Sequence, residues 1–373
     1  VQPHRPPSYA VAGALALTLV LALGACTGSP SPTASPAASP TASATQPPTE
    51  PPTQPPTEPD SEPPPEPPAA TAPGARITPE ELPPVTARPS LPALMREDVR
   101  GGPIVRTQRL AGTDRWTGYA VTYTVDGATV SGELLVPTGQ GPFPAVVLNH
   151  GYIDPAIYTL GRGMSREQEW LASNGFVVLH TDYRGHAGSD PVSAVGRETR
   201  LVYTRDAIGA VRALEREPYV DADRLAMMGR SMGGGVTYNA LVAVPDLVDA
   251  AVVHAPVSSL FVDNLRQFTE VSRPEGAAAF YDRFGTPQER PGFYRGLSSR
   301  TYFDRVEVPV QIHHGTADDT CPPVWSRRTH DALRAAGASS SLLTYEGEGH
   351  AFGPRFEDSM RRTVAFLRRH LAG

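Results

Sequence analysis

From Trp116 onward the apolar residues of this chain fall into short groups with turn-forming residues between them. The first two groups alternate with polar positions. Trp116–Tyr123 and Thr129–Val136 flank Asp126-Gly127, which predicts two antiparallel strands joined by a tight hairpin. The next groups are unbroken: Ala145–Leu148, Phe176–Leu179, Leu225–Met228, Ala250–Val253 and Val308–Ile312. Runs without alternation suit central parallel strands covered on both faces. Helical spacing appears between them. Ser165-Arg166-Glu167-Gln168 predicts a capping box opening a helix that closes at Asn174-Gly175. Leu201, Ile208, Val211 and Leu214 share one face of a second helix, and Met360, Val364, Leu367 and Leu371 line the inner side of the last. Strands alternating with helices define an α/β class, a doubly wound and mostly parallel sheet with antiparallel N-terminal strands. The stretch from Ser258 to Asp304 predicts a small lid, with helical segments over Phe261–Val271 and Gly276–Phe284.

The N-terminal quarter lacks this patterning. Arg5 precedes an apolar stretch from Ala10 to Leu23 that ends in Leu23-Gly24-Ala25-Cys26. A positive start, a short apolar core and small residues before a cysteine predict a secretory signal of the lipoprotein type, with Cys26 lipidated as the mature N-terminus. An ordinary signal peptide or an N-terminal anchor that contains a cysteine is the alternative. Thr27 to Pro92 is dominated by Pro, Thr, Ser and Ala and has few apolar residues to offset chain entropy. Its prolines favour extended conformations, as a semi-rigid tether requires. The expected organisation is a signal peptide over 1–25, a disordered tether over 26–94 and one catalytic domain over 95–373, held at the outer face of a bacterial membrane by Cys26.

The formal charge of −6 lies mostly outside that domain, since residues 1–90 carry seven acids against three arginines. No basic patch suggests nucleic acid. All 33 basic residues are arginine, which excludes a Ser-Lys dyad, a Schiff-base lysine and a phosphate-binding P-loop lysine. With Cys26 lipidated, Cys321 has no intrachain partner, so the domain is expected to stand without disulfides.

Gly229-Arg230-Ser231-Met232-Gly233 directly follows the Leu225–Met228 run. A Gly-x-Ser-x-Gly there has the context of a nucleophile elbow, a strand turning sharply into a helix with the serine at the turn. A serine hydroxyl needs a base and an orienting acid. Asp318 in His314-Gly315-Thr316-Ala317-Asp318 and His350 in Gly347-Glu348-Gly349-His350 each follow a predicted strand. The order Ser, Asp, His is that of α/β-hydrolases. Ser231 is the expected nucleophile, His350 the general base and Asp318 the acid, with the adjacent Asp319 as rival. The expected oxyanion donors are the backbone N–H groups of Met232 and Tyr152, the latter in Asn149-His150-Gly151-Tyr152. His150 reads as a structural loop residue and Cys321 as a small residue packed near the acid loop. His313 and His314 with Asp318 could suggest a metal site, but neighbouring histidines on a strand face apart, so neither metal nor cofactor is expected.

Asp182-Tyr183-Arg184-Gly185-His186-Ala187-Gly188-Ser189, Val220-Asp221-Ala222-Asp223-Arg224-Leu225, the elbow, His314–Asp319 and Glu346–His350 together resemble the catalytic domain of prolyl-oligopeptidase-type serine peptidases. They are similar also to dienelactone-hydrolase-like and acyl-esterase domains. The resemblance implies an α/β-hydrolase fold from residue 100 to the C-terminus and a Ser-Asp-His triad. Peptidases of that family usually carry a β-propeller ahead of this domain, where this sequence has the proline-rich stretch and leading strands. A peptidase and a stand-alone carboxylesterase are both implied, acting on a small ester or peptide through an acyl-enzyme. An envelope acyltransferase on the same triad and a non-catalytic surface binding protein on the same fold are the alternatives.

Overall fold

A computed structural model describes residues 82–372. Cys26 and nearly all of the proline-rich stretch lie outside the described residues. Nine strands form one sheet: β1 (Val105–Gly112), β2 (Trp116–Val125), β3 (Ala128–Pro137), β4 (Phe143–Asn149), β5 (Val177–Thr181), β6 (Val220–Arg230), β7 (Ala250–His254), β8 (Val310–Gly315) and β9 (Ser340–Tyr345). Their order is β1-β2-β3-β5-β4-β6-β7-β8-β9. The β2–β3 hairpin pairs from Trp116 with Pro137 to Val125 with Ala128, and Asp126 (φ 51°) and Gly127 (φ 82°) make its turn. The ladders β1–β2, β2–β3 and β3–β5 are antiparallel, and β5 through β9 run parallel.

The helices are α1 (Leu91–Leu94), α2 (Ser165–Ser173), α3 (Ala194–Thr199), α4 (Leu201–Leu214), α5 (Met232–Ala243), α6 (Phe261–Asn264), α7 (Glu270–Ser272), α8 (Pro274–Phe284), α9 (Pro291–Gly296), α10 (Pro323–Ala335) and α11 (Phe356–His370). Val147 and Met227 face the larger core with Ile208 and Val211 of α4 and Val236 of α5. Val146 and Met228 point the other way, into a core with Leu171 of α2 and Met360 and Leu367 of α11. This two-sided burial is why the central runs carry no polar alternation.

Three details differ from the sequence-based expectation. Ser165 does not cap α2. It is the first helical residue, and the capping position, Met164, makes no side-chain bond. The reciprocal partners are engaged elsewhere: Glu167 takes the Arg230 guanidinium at 2.9 Å, and Gln168 donates to the Glu133 carbonyl at 3.0 Å. Ordered structure also begins before residue 95, because Leu91 and Leu94 of α1 are fully buried in the larger core. Finally, β1 pairs at the sheet edge with nearly all its side chains exposed, so no hydrophobic alternation marks it.

Candidate active site

The sheet order reverses between β4 and β6, and that reversal opens a crevice beyond their carboxyl ends. Ser231 stands there between β6 and α5 with φ 56° and ψ −120°. A non-glycine residue in such a conformation stores about 1–3 kcal/mol, which the surroundings must hold. Here the Ser231 N–H donates to the His254 carbonyl at 3.1 Å, and its own carbonyl accepts from Gly234 (3.0 Å) and Val257 (3.1 Å). Gly233 lets the helix approach β4 so closely that a Cβ there would stand 1.8 Å from the Asn149 carbonyl oxygen. Arg230 ties the elbow to α2 through Glu167 and also donates to the Gly163 carbonyl.

The acid and histidine loops follow β8 and β9. His350 Nδ1 donates to Asp318, 2.9 Å from Oδ2 and 3.2 Å from Oδ1. Asp318 is 5 % exposed, whereas Asp319 is exposed and accepts from the neighbouring Thr320 hydroxyl. Burial alone would raise the Asp318 pKa. Hydrogen bonds from His314, His350 and the Cys321 N–H outweigh it and hold the carboxyl below its usual range. His314 Nε2 lies 3.1 Å from Asp318 Oδ2 and 2.9 Å from the Cys321 carbonyl, and its Nδ1 meets the Ser326 hydroxyl at 2.6 Å. The two loops are laced together: Ala317 N–H donates to the Glu348 carbonyl (3.0 Å) and Gly347 N–H to the Thr316 hydroxyl (2.9 Å). The buried Glu348 carboxylate accepts the N–H groups of Gly353 and Arg355, both at 2.6 Å, closing the loop around His350.

Ser231, Met232, Tyr152 and His350 line one cavity of ≈ 230 Å³. Among the described residues, the N–H groups of Met232 and Tyr152 donate to no protein acceptor. Phe268, Ser272 and Arg273 form part of its wall, so the 258–304 segment does border the site. Among the described residues, Ser231 Oγ has one polar contact, 4.0 Å to Cys321 Sγ, and none to His350. Burial, and then the Asp318 charge, push the Cys321 thiol up to about 12.

His313 and His314 point to different places. His313 is held by Tyr345 OH and Gln311, each at 2.8 Å, away from Asp318. His150 is fully buried, its Nδ1 2.7 Å from the Gly151 carbonyl and its Nε2 3.2 Å from that of Asp182, and burial lowers its pKa to about 3. It belongs to the loop frame. Sequence reasoning alone assigns no role to His314, Glu348 or Arg230. His314 carries a signal, since it lies four residues before Asp318 at the end of a strand; Glu348 and Arg230 carry none.

Fold and elbow define this protein as an α/β-hydrolase. Residues 162–373 match the prolyl oligopeptidase family, more than half of the chain, and the protein belongs to that family and is a serine hydrolase. It is 28% identical over 242 residues to the uncharacterized peptidase YuxL of Bacillus subtilis (strain 168), covering 61% of this chain and 34% of that protein. It is 28% identical over 220 residues to dipeptidyl aminopeptidase BIII of Pseudoxanthomonas mexicana, covering 57% of this chain and 31% of that protein. The match therefore spans about a third of the length of these relatives. Acetyl xylan esterase 1 from Thermoanaerobacterium sp. JW/SL YS485 shares the fold with a TM-score of 0.56 at 19% identity, over 74% of this chain and 92% of that one.

Proposed function

We propose that this protein cleaves a small ester or peptide bond through an acyl-enzyme on Ser231, with His350 as base and Asp318 as its partner. The observation that carries the reading is the shared cavity: Ser231 and His350 open into the same space, and the buried Asp318 fixes the far nitrogen of that imidazole. A proton on Nδ1, donated to Asp318, leaves Nε2 free to take one. The Ser231 hydroxyl turns from Cys321 toward Nε2, loses its proton there and attacks the carbonyl carbon, forming a C–O bond. The resulting oxyanion is received by the N–H groups of Met232 and Tyr152. Collapse breaks the bond to the leaving alcohol or amine, which takes the proton from His350. Water, deprotonated by the same imidazole, then releases the acid and restores Ser231.

The relatives named as peptidases and the fold neighbour named as an esterase support both leaving groups, and the small cavity suits a short acyl or aminoacyl group. Rates on nitrophenyl acyl esters and aminoacyl nitroanilides, measured side by side, separate the two. Loss of both activities in Ser231→Ala is expected. Wild-type turnover in that variant, purified free of host esterases, would overturn the reading.

The Leu23-Gly24-Ala25-Cys26 motif and the proline-rich stretch after it support lipid anchoring at the outer face of a bacterial membrane, with the stretch between Cys26 and the folded domain as the tether. Cys26→Ser is expected to move the protein out of the membrane fraction with its soluble activity intact. Unchanged membrane association would point to an uncleaved anchor.

A further inference from the structure

Two guanidinium groups, Arg200 and Arg273, line the cavity that holds Ser231 and His350, and no Asp or Glu does. Arg273 is already committed. It donates to Glu198 at 2.9 Å and its guanidinium lies 5.4 Å from the centre of the Tyr152 ring. Glu198 is engaged as well, accepting from Thr269 at 3.1 Å. Arg200 makes no such hydrogen bond, although the Glu198 charge acts on it. Among the described residues, no carboxylate, carbonyl or hydroxyl accepts a hydrogen bond from its guanidinium. Arg200 is half-buried and its guanidinium opens on the cavity, with Nη1 4.0 Å from where a Cβ on Gly235 would stand, beside the first turn of α5. A guanidinium that faces a cavity without a hydrogen-bonded carboxylate is open to an anion entering it.

The backbone holds Arg200 in place at a cost. It joins α3 to α4 with φ 61° and ψ 3°, the left-handed region that disfavours side chains. Its N–H donates to the Gly196 carbonyl at 3.0 Å and its carbonyl accepts from Thr204 at 2.9 Å. Left-handed residues close many helices, as Arg200 closes α3, and they also gather at ligand sites. The N-terminal turn of α5 adds positive potential to the same wall.

We propose that Arg200 sets the specificity of this site: the substrate carries a carboxylate that pairs with the Arg200 guanidinium while the scissile carbonyl lies at Ser231. The proposal rests on Ser231 as the nucleophile. The carboxylate belongs either to the acyl part, as in a monoester of a dicarboxylic acid, or to the leaving part, as in the C-terminal residue of a short peptide. A planar guanidinium binds a carboxylate through two parallel hydrogen bonds, so an uncharged analogue of the same shape is disfavoured.

Two matched pairs of esters test it. On the acyl side, nitrophenyl adipate monoester is compared with nitrophenyl hexanoate; on the leaving side, meta-acetoxybenzoate is compared with phenyl acetate. The wild-type enzyme is expected to have the higher kcat/KM for the anionic member of one pair. In Arg200→Met that ratio is expected to fall by about 10- to 100-fold, the range for a charge-assisted hydrogen bond converted to a rate ratio. Arg200→Lys keeps the charge without the planar fork and is expected to fall between. A wild-type ratio at or below one in both pairs overturns the proposal, as does a ratio that Arg200→Met leaves unchanged, which includes equal losses on both members. The wild-type ratio decides even if a variant fails to fold. Hydrolysis of neutral esters without preference for the anion would strike only this proposal; absence of turnover on all four esters together with absence of fluorophosphonate labelling would strike the Ser231 reading itself.

Discussion

Replacing Asp318 with asparagine changes one atom, and the surrounding donors dictate how the new side chain must sit. Oδ1 of Asp318 accepts the backbone N–H groups of Thr320 and Cys321, both at 2.9 Å. These donors cannot rotate, so the amide oxygen of the new side chain must take that position. Its NH₂ then stands where Oδ2 was, facing His350 Nδ1 at 2.9 Å and His314 Nε2 at 3.1 Å. Donor meets donor. His350 can accept the amide hydrogen only by carrying its own proton on Nε2, which presents an N–H to Ser231 where a free lone pair is needed. Loss of the productive tautomer costs roughly 10⁴-fold in kcat in a serine triad. The exposed Asp319 touches none of these groups, so Asp319→Asn is expected to cost far less. The assay is kcat on nitrophenyl acetate for both purified variants, with near-ultraviolet circular dichroism to check the fold. A loss below tenfold in folded Asp318→Asn, or an equal loss in Asp319→Asn, would refute the reasoning.

A Cβ on Gly315 would stand 2.1 Å from the Glu348 carbonyl oxygen, so Gly315→Ala is expected to push the histidine loop off β8, lowering both the thermal midpoint and kcat; activity within twofold of wild type would contradict this. Cys321 is buried with its thiol held near 12, so iodoacetamide at neutral pH is expected to leave its peptide unmodified until the protein is unfolded, as read by peptide mass. Burial, and then Asp182 and Glu169, raise Glu133 from 4.5 to about 7. The folded protein therefore binds this proton more tightly than the unfolded chain, and its stability falls as pH rises through that window. Glu133→Gln is expected to raise the thermal midpoint at pH 8, with a gain that shrinks toward pH 4.5. A gain independent of pH would exclude the titration of Glu133 as its cause.

The central sheet was legible because its strands are buried on both faces and their apolar runs admit nothing else. The hairpin was legible from Asp126-Gly127, whose positive φ angles few other residue pairs adopt. The edge strand β1 was not, since its exposed residues follow no alternation. At the site, Ser231, Asp318 and His350 could be named because each stands just beyond a strand and the elbow has a fixed spacing. The side chains around them could not. Glu348 folds the histidine loop by accepting two backbone N–H groups, and Arg230 reaches Glu167 across 63 positions of sequence. Such contacts exist only once the chain has folded. The Ser165 capping box failed for the same reason: the Glu167 and Gln168 side chains found tertiary partners.

The central claim is that Ser231 forms the covalent intermediate, and peptide mapping after reaction with a fluorophosphonate tests it most directly. One adduct is expected, on the peptide containing Ser231, absent in Ser231→Ala and formed much more slowly in Asp318→Asn. An adduct on any other residue, or hydrolysis that persists undiminished in Ser231→Ala, would contradict it.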